Sequence, residues 1–122
     1  MRVLHVLDHS LPMHSGYAFR TRAIMRAQAA DGLDVRGITG PRHSADGPAD
    51  ETCEGLRFHR TGTASGGPPL VAEWREVSAH ANAILELARE WRPDILHAHS
   101  PALSGLATVR AGRKLGIPVV YE

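Results

Sequence analysis

Only one cysteine, Cys53, stands in the chain. An internal disulfide is therefore excluded, and the usage fits a reducing compartment, so the expected location is the cytoplasm. Lysine is as scarce: Lys114 alone, against thirteen arginines. An Arg- and Ala-rich composition is what a GC-rich genome produces, although arginine is also the side chain that grips carboxylate and phosphate bidentately. Net charge is only +1, too small for the field that nucleic-acid or membrane binding would need. No run of about 18 apolar residues occurs, so nothing reads as a membrane span. Met1-Arg2 leads straight into an apolar strand with Asp8 and His9 behind it, which is not the pattern of a secretory leader. Repeats and low-complexity segments are absent. Two catalytic fingerprints are missing as well. A Gly-x-Gly-x-x-Gly turn with an acid roughly 20 residues on would mark a dinucleotide site. Here the first turn has one glycine, and the second strand ends Ile38-Thr39-Gly40 with no acid, which counts strongly against a dinucleotide dehydrogenase. Ser10, Ser15 and Ser100 lack the Gly-x-Ser-x-Gly elbow of a serine nucleophile.

What is present reads as one domain. The 122 residues suffice for one core, and 43% hydrophobic with 22% charged residues is ordinary for a folded chain. Arg2 to Leu7 is a near-continuous apolar strand, as a parallel strand buried on both faces should be. A turn with Pro12 follows, then a helix from Gly16 to Ala30 that Gly32 ends. Its inner face is expected to be Ala23, Ala27 and Ala30 with Ile24, and Arg20, Arg22 and Arg26 decorate its sides. The second strand is Val35 to Thr39. Gly40 to Glu51 reads as a polar loop and Leu56 to Arg60 as an exposed edge strand. After a second Gly/Pro-rich connection, Leu70, Trp74, Val77, Ala81, Ile84, Ala88 and Trp91 recur at helical spacing and predict one sheet-facing stripe. Pro93 stops that helix. Asp94 to His99 is the fourth strand, Ser100-Pro101 starts a helix that Gly116 closes, and a fifth strand begins at Ile117. The chain stops inside that strand, so a piece of a longer protein is expected. Strands alternating with helices predict an α/β fold: a parallel, Rossmann-like sheet of order 3-2-1-4-5 between two helical layers.

Ligands of such sheets bind at the carboxyl ends of the strands, where the strand order reverses. The first and fourth strands flank that reversal. Ser15 and Gly16 open a helix there, whose free N–H groups and partial positive charge suit a phosphate. Asp8 could hold a sugar hydroxyl, or merely cap the turn. His9 and His14 could donate to an anion or accept from a hydroxyl. Arg20 lies one turn behind Gly16. His97 and His99 form His-x-His on one strand face, with Ser100 beside them. A metal would need further ligands that no nearby Asp, Glu or Cys cluster supplies, so no metal is expected.

Four stretches carry a family resemblance: RVLHVLDHSLPMHSGYAFRT, the Ala-rich helix ending AADGLDV, RPDILHAHSP, and KLGIPVVYE. In this order the chain resembles the N-terminal domain of a GT-B fold glycosyltransferase of family 4. The opening is most similar to the subgroup associated with exosortase and exopolysaccharide gene clusters. The resemblance implies residues 1–122 are one Rossmann-like, acceptor-side domain, with a C-terminal donor domain absent. It implies retaining transfer from a nucleotide-sugar donor to a sugar or lipid-linked acceptor, peripheral contact with the inner membrane, and no metal or other cofactor. Ser15, Gly16 and His99 would meet the donor phosphates, with His99 facing the cleft; Asp8, His9, His14, Arg20, His97 and Ser100 are candidate cleft contacts. Family members usually carry two adjacent glycines where this chain has Ser15-Gly16. The catalytic residues would lie beyond Glu122, so the chain alone is expected to be inactive. The residues also admit a non-catalytic α/β interaction module, or a sugar-nucleotide epimerase on the same fold.

Overall fold

The structure is a computed structural model and describes residues 1–13, 15–41, 43, 49–62, 67–99 and 102–121. Its elements run β1 (Arg2–Leu7), α1 (Gly16–Ala30), β2 (Asp34–Thr39), β3 (Asp50–Cys53), β4 (Leu56–Arg60), α2 (Pro69–Trp91), β5 (Ile95–Ala98), α3 (Ala102–Leu115) and β6 (Val119–Tyr121). They build a six-stranded sheet of order β3-β4-β2-β1-β5-β6. The five strands read from the sequence take their expected order, and all of their pairings are parallel. β1 is central because its five residues after Arg2 are all buried; only a strand covered on both faces can be so apolar.

Parity along β1 divides the core. Leu4 and Val6 join Ile38, Leu96 and Ala98 beneath α2 and α3, which contribute Val77, Ala81, Ile84, Leu87, Trp91, Ala107 and Ala111. Leu7 faces the other way, with Met25 of α1, Leu56, Phe58 and Leu11. Each buried Leu, Ile or Phe stabilises the fold by roughly 1.5–3 kcal/mol. The layers are therefore α1 on one face and α2 with α3 on the other.

Four expectations need correction. The segment read as loop as far as Glu51 contains the start of β3, which pairs antiparallel with β4 and makes the sheet mixed. A charged, short strand held by backbone bonds and by polar contacts of Asp50 and Glu51 leaves no apolar alternation to read. β4 is accordingly not the edge, and Phe58 and His59 are buried in it. The β3–β4 turn is Glu54-Gly55, both at positive φ (51° and 81°), as a two-residue hairpin of the primed kind requires.

The inner face of α1 is Ala18, Thr21 and Met25, whereas Ala23, Ala27 and Ala30 are exposed. Thr21 escapes an apolar reading, but its hydroxyl is satisfied by the Ala18 carbonyl at 3.1 Å. On α2 the buried stripe begins only at Val77; Leu70 and Trp74 are 81% and 64% exposed, since the helix outruns the sheet at its N-terminal end.

Candidate functional site

The turn after β1 is held by side chains from four directions. Ser15 is the N-cap of α1 in extended conformation, and its Oγ accepts from the Ala18 N–H at 3.0 Å. His9 Nε2 lies 2.8 Å from the same oxygen, and His9 Nδ1 lies 3.0 Å from Asp8 Oδ2. With Nδ1–H donating to the carboxylate, Nε2 accepts the Ser15 hydroxyl proton, so both ring nitrogens of His9 are used. The His9 ring packs on Tyr17 at 4.6 Å, and Tyr17 Oη accepts from the Asp8 N–H at 3.1 Å. Burial pushes the Tyr17 phenol up to about 12, so it remains a neutral hydrogen-bonding group at any ordinary pH.

Arg60, at the end of β4, fixes the turn from the far side. Its guanidinium donates to Ser10 Oγ and to the Leu11 carbonyl, both at 2.6 Å, and to Glu51 Oε1 at 2.5 Å. The fork geometry of arginine allows all three at once. The neighbouring His43 Nδ1 accepts weakly from the Ser10 N–H at 3.4 Å. Burial, and then the Arg60 charge, push the His43 imidazole down to about 4.

Gly16 begins α1 and is exposed, and its φ is not in the left-handed region. A Cβ built there meets no atom of the described residues within 4 Å. Packing among the described residues therefore does not require glycine at this position, and the space a side chain would take beside the helix start is open. The first N–H groups of a helix have no intrahelical acceptor; Ser15 serves that of Ala18, leaving Gly16 and Tyr17 at the front of the turn.

The structure thus brings Asp8, His9, Ser15 and Gly16 together. Arg20 sits on the exposed side of α1. His14 and Ser100 lie outside the described residues. His97 and His99 join a different group. His99, expected on the cleft, is fully buried, because its strand parity turns it under α1. There it stacks on His97 with ring centroids 4.5 Å apart, and its Nε2 lies 2.9 Å from His5 Nδ1.

A family model for the glycosyl transferase 4-like domain matches residues 15–122. The chain belongs to this family. The glycosyl transferase 4-like domain is 28% identical over 120 residues to a GDP-mannose-dependent alpha-mannosyltransferase of Mycolicibacterium smegmatis, covering 98% of this chain and 31% of that protein. It matches the sucrose-phosphate synthase of Thermosynechococcus elongatus with TM-score 0.71 and 16% identity, over 99% of this chain and 32% of the other. The UDP-GlcNAc 2-epimerase of Methanocaldococcus jannaschii, in complex with UDP-GlcNAc and UDP, matches with TM-score 0.66 and 16% identity, over 99% and 32%. The chain therefore spans about a third of the length of these proteins. It is an N-terminal, Rossmann-like domain of the GT-B type. No helix among its described residues is long and apolar enough to cross a membrane.

Sequence reasoning missed three parts of the glycosyl transferase 4-like domain's first turn. Arg60 reaches it across 49 and 50 positions of sequence, and only the β4–β2–β1 order shows that it can. Tyr17 offered a readable signal, a polar aromatic directly after Gly16. His80 of α2 lines a small cleft with Asp8, Gly40, Pro41, Glu76 and Ser104 at the carboxyl ends of β1 and β2. Burial pushes the His80 imidazole down to about 4.

Proposed function

We propose that this domain is the acceptor-side half of a two-domain glycosyltransferase, and that its first turn holds the diphosphate of a nucleotide-sugar donor. The observation that carries the reading is the helix N-terminus at Ser15-Gly16, with open space beside Gly16 among the described residues. A phosphate oxygen there would meet backbone N–H groups and the positive end of α1. As negative charge moves onto the leaving diphosphate, donors already in place stabilise it without reorganising. Asp8, at the strand end, would accept from a sugar hydroxyl. Such a site needs no cation for the diphosphate. The mannosyltransferase relative, named for its use of GDP-mannose, supports a nucleotide sugar as co-substrate.

The transfer retains anomeric configuration and goes to a hydroxyl of a sugar or lipid-linked acceptor in polysaccharide or glycoconjugate synthesis. Residues 1–122 by themselves turn over nothing. The test is an assay of the complete protein against GDP-, UDP- and TDP-sugars, with the product's anomeric configuration read by NMR. Gly16→Val should lower kcat/KM for the donor about tenfold or more, since its side chain fills the phosphate position, and leave Tm unchanged or higher. Unchanged kcat/KM in that variant would remove the proposed phosphate site. The epimerase likeness favours a second reading. In that case the product is an epimerised nucleotide sugar with no new glycosidic bond.

A further inference from the structure

The paired strands β1 and β5 carry imidazoles that the first turn does not use. His5 lies opposite His97 in the parallel register, and His99 follows two residues on, so all three share the face beneath α1. Each can offer one ring nitrogen such that the three atoms lie within 4.8 Å of one another. We propose that His5, His97 and His99 form a binding site for a divalent transition-metal ion of the imidazole-preferring kind, such as zinc.

Three observations carry this. The first is span. Zinc–nitrogen bonds of about 2.0–2.1 Å in a tetrahedron put ligand nitrogens roughly 3.3 Å apart. His5 Nδ1 and His99 Nε2 stand at 2.9 Å already. The His97 ring, tilted 30° to His5 at 4.8 Å between centroids, turns inward to complete the set.

The second is orientation. Gln28 of α1 places its amide oxygen 2.7 Å from His5 Nε2. That contact keeps the His5 proton on Nε2 and aims the Nδ1 lone pair at His99. Metal-bound histidines are held in the same way, by an outer acceptor on the ring's other nitrogen. In the metal-free chain the His99 Nε2–H bridges to that lone pair. With an ion between them, His99 carries its proton on Nδ1 instead, and both rings remain neutral.

The third is burial. His5 and His99 are fully buried on the two central strands, whereas His97 is half-buried. Two ligands are thus held in the dry interior and the third is less deeply buried; a zinc site of three histidines takes a water or another ligand in its fourth position. Neighbouring positions on this face are Val3, Leu7 and Ile95; apolar residues there would pack without the cost of burying polar rings. An all-nitrogen neutral set selects zinc, nickel or copper over magnesium and calcium.

The experiment is a zinc titration of the chelator-stripped chain against a chromophoric competitor, with a parallel Co2+ titration followed by its visible ligand-field bands. One equivalent of zinc should bind, with a rise in Tm, and magnesium should do neither. His97→Ala removes only the half-buried ring and should weaken zinc binding at least roughly 100-fold, while Gln28→Ala should weaken it roughly 10–100-fold. Glu90→Ala, on the exposed side of α2, should leave zinc binding unchanged. Should His97→Ala fail to fold, Gln28→Ala and the Co2+ spectrum still decide. Absence of stoichiometric zinc binding overturns the site, and so does zinc affinity that survives intact in His97→Ala or, where that chain does not fold, in Gln28→Ala.

Discussion

Acid should destabilise this domain through His80. The ring is 3% exposed in α2, packed against Gly40, and its Nε2 has no hydrogen-bond partner among the described residues. Burial is the main cause that lowers its pKa from 6.5 to about 4; a hydrogen bond to the Ile38 backbone and the Asp8 charge oppose this only in part. The unfolded chain therefore takes up a proton near pH 6.5 that the folded chain refuses until about pH 4. The stability from this group is fully present above pH 6.5 and is lost as pH falls toward 4. Integrated over that window, the loss is about 2 kcal/mol at pH 5 and about 3 kcal/mol at pH 4. Against a typical domain stability of about 5–15 kcal/mol that is a large share. The assay is urea unfolding at pH 8, 6 and 5 for the native chain and for His80→Leu. The variant cannot titrate at this position, so its stability should fall less by about 2 kcal/mol between pH 8 and pH 5. His43 and the carboxylates are common to both chains and cancel in the difference. Parallel stability–pH curves would show that desolvation of His80 is not the cause.

Three further outcomes test the packing around the site. Ser15→Ala removes the cap on the Ala18 N–H and should cost about 1 kcal/mol, seen as a lower urea midpoint with unchanged m-value. Arg60→Lys cannot reach Ser10 Oγ, the Leu11 carbonyl and Glu51 together, and should cost about 1–3 kcal/mol in the same measurement. Gly112→Ala drives a Cβ to 2.6 Å from Val119 Cγ2 and 3.1 Å from the Ile117 carbonyl. Because one of these atoms is backbone, it should destabilise by about 1–3 kcal/mol in thermal unfolding.

Much of the fold was legible because its signals are local. The apolar run Val3 to Leu7, the boundaries of α1 at Gly16 and Ala30, and the stop at Pro93 depend on a few adjacent residues. β3 was hidden because Asp-Glu-Thr-Cys is a strand only by virtue of β4 beside it. The face that α1 buries was misread because Thr21 and Gln28 are chosen by partners, one the helix's own carbonyl and the other His5. At the candidate site, the turn and its N-cap could be read from Asp8 to Gly16. Arg60 and His80 could not, since each arrives from a strand or helix remote in sequence. The third imidazole had a faint signal: His5 and His97 are each the lone polar residue inside an apolar strand. Once those strands are taken as neighbours, the two rings must meet.

The guanidinium of Arg60 ties Glu51 on the edge strand to Ser10 and Leu11 in the turn after β1. An edge hairpin would ordinarily fray first and independently. Here the last rung of β4 and the loop after β1 share one cation, so they should open together as a single unit. In hydrogen exchange, the amides of Leu11 and Met13 would then follow those of β4, despite the roughly 50 residues between them, and weakening the hairpin would loosen the turn without touching it.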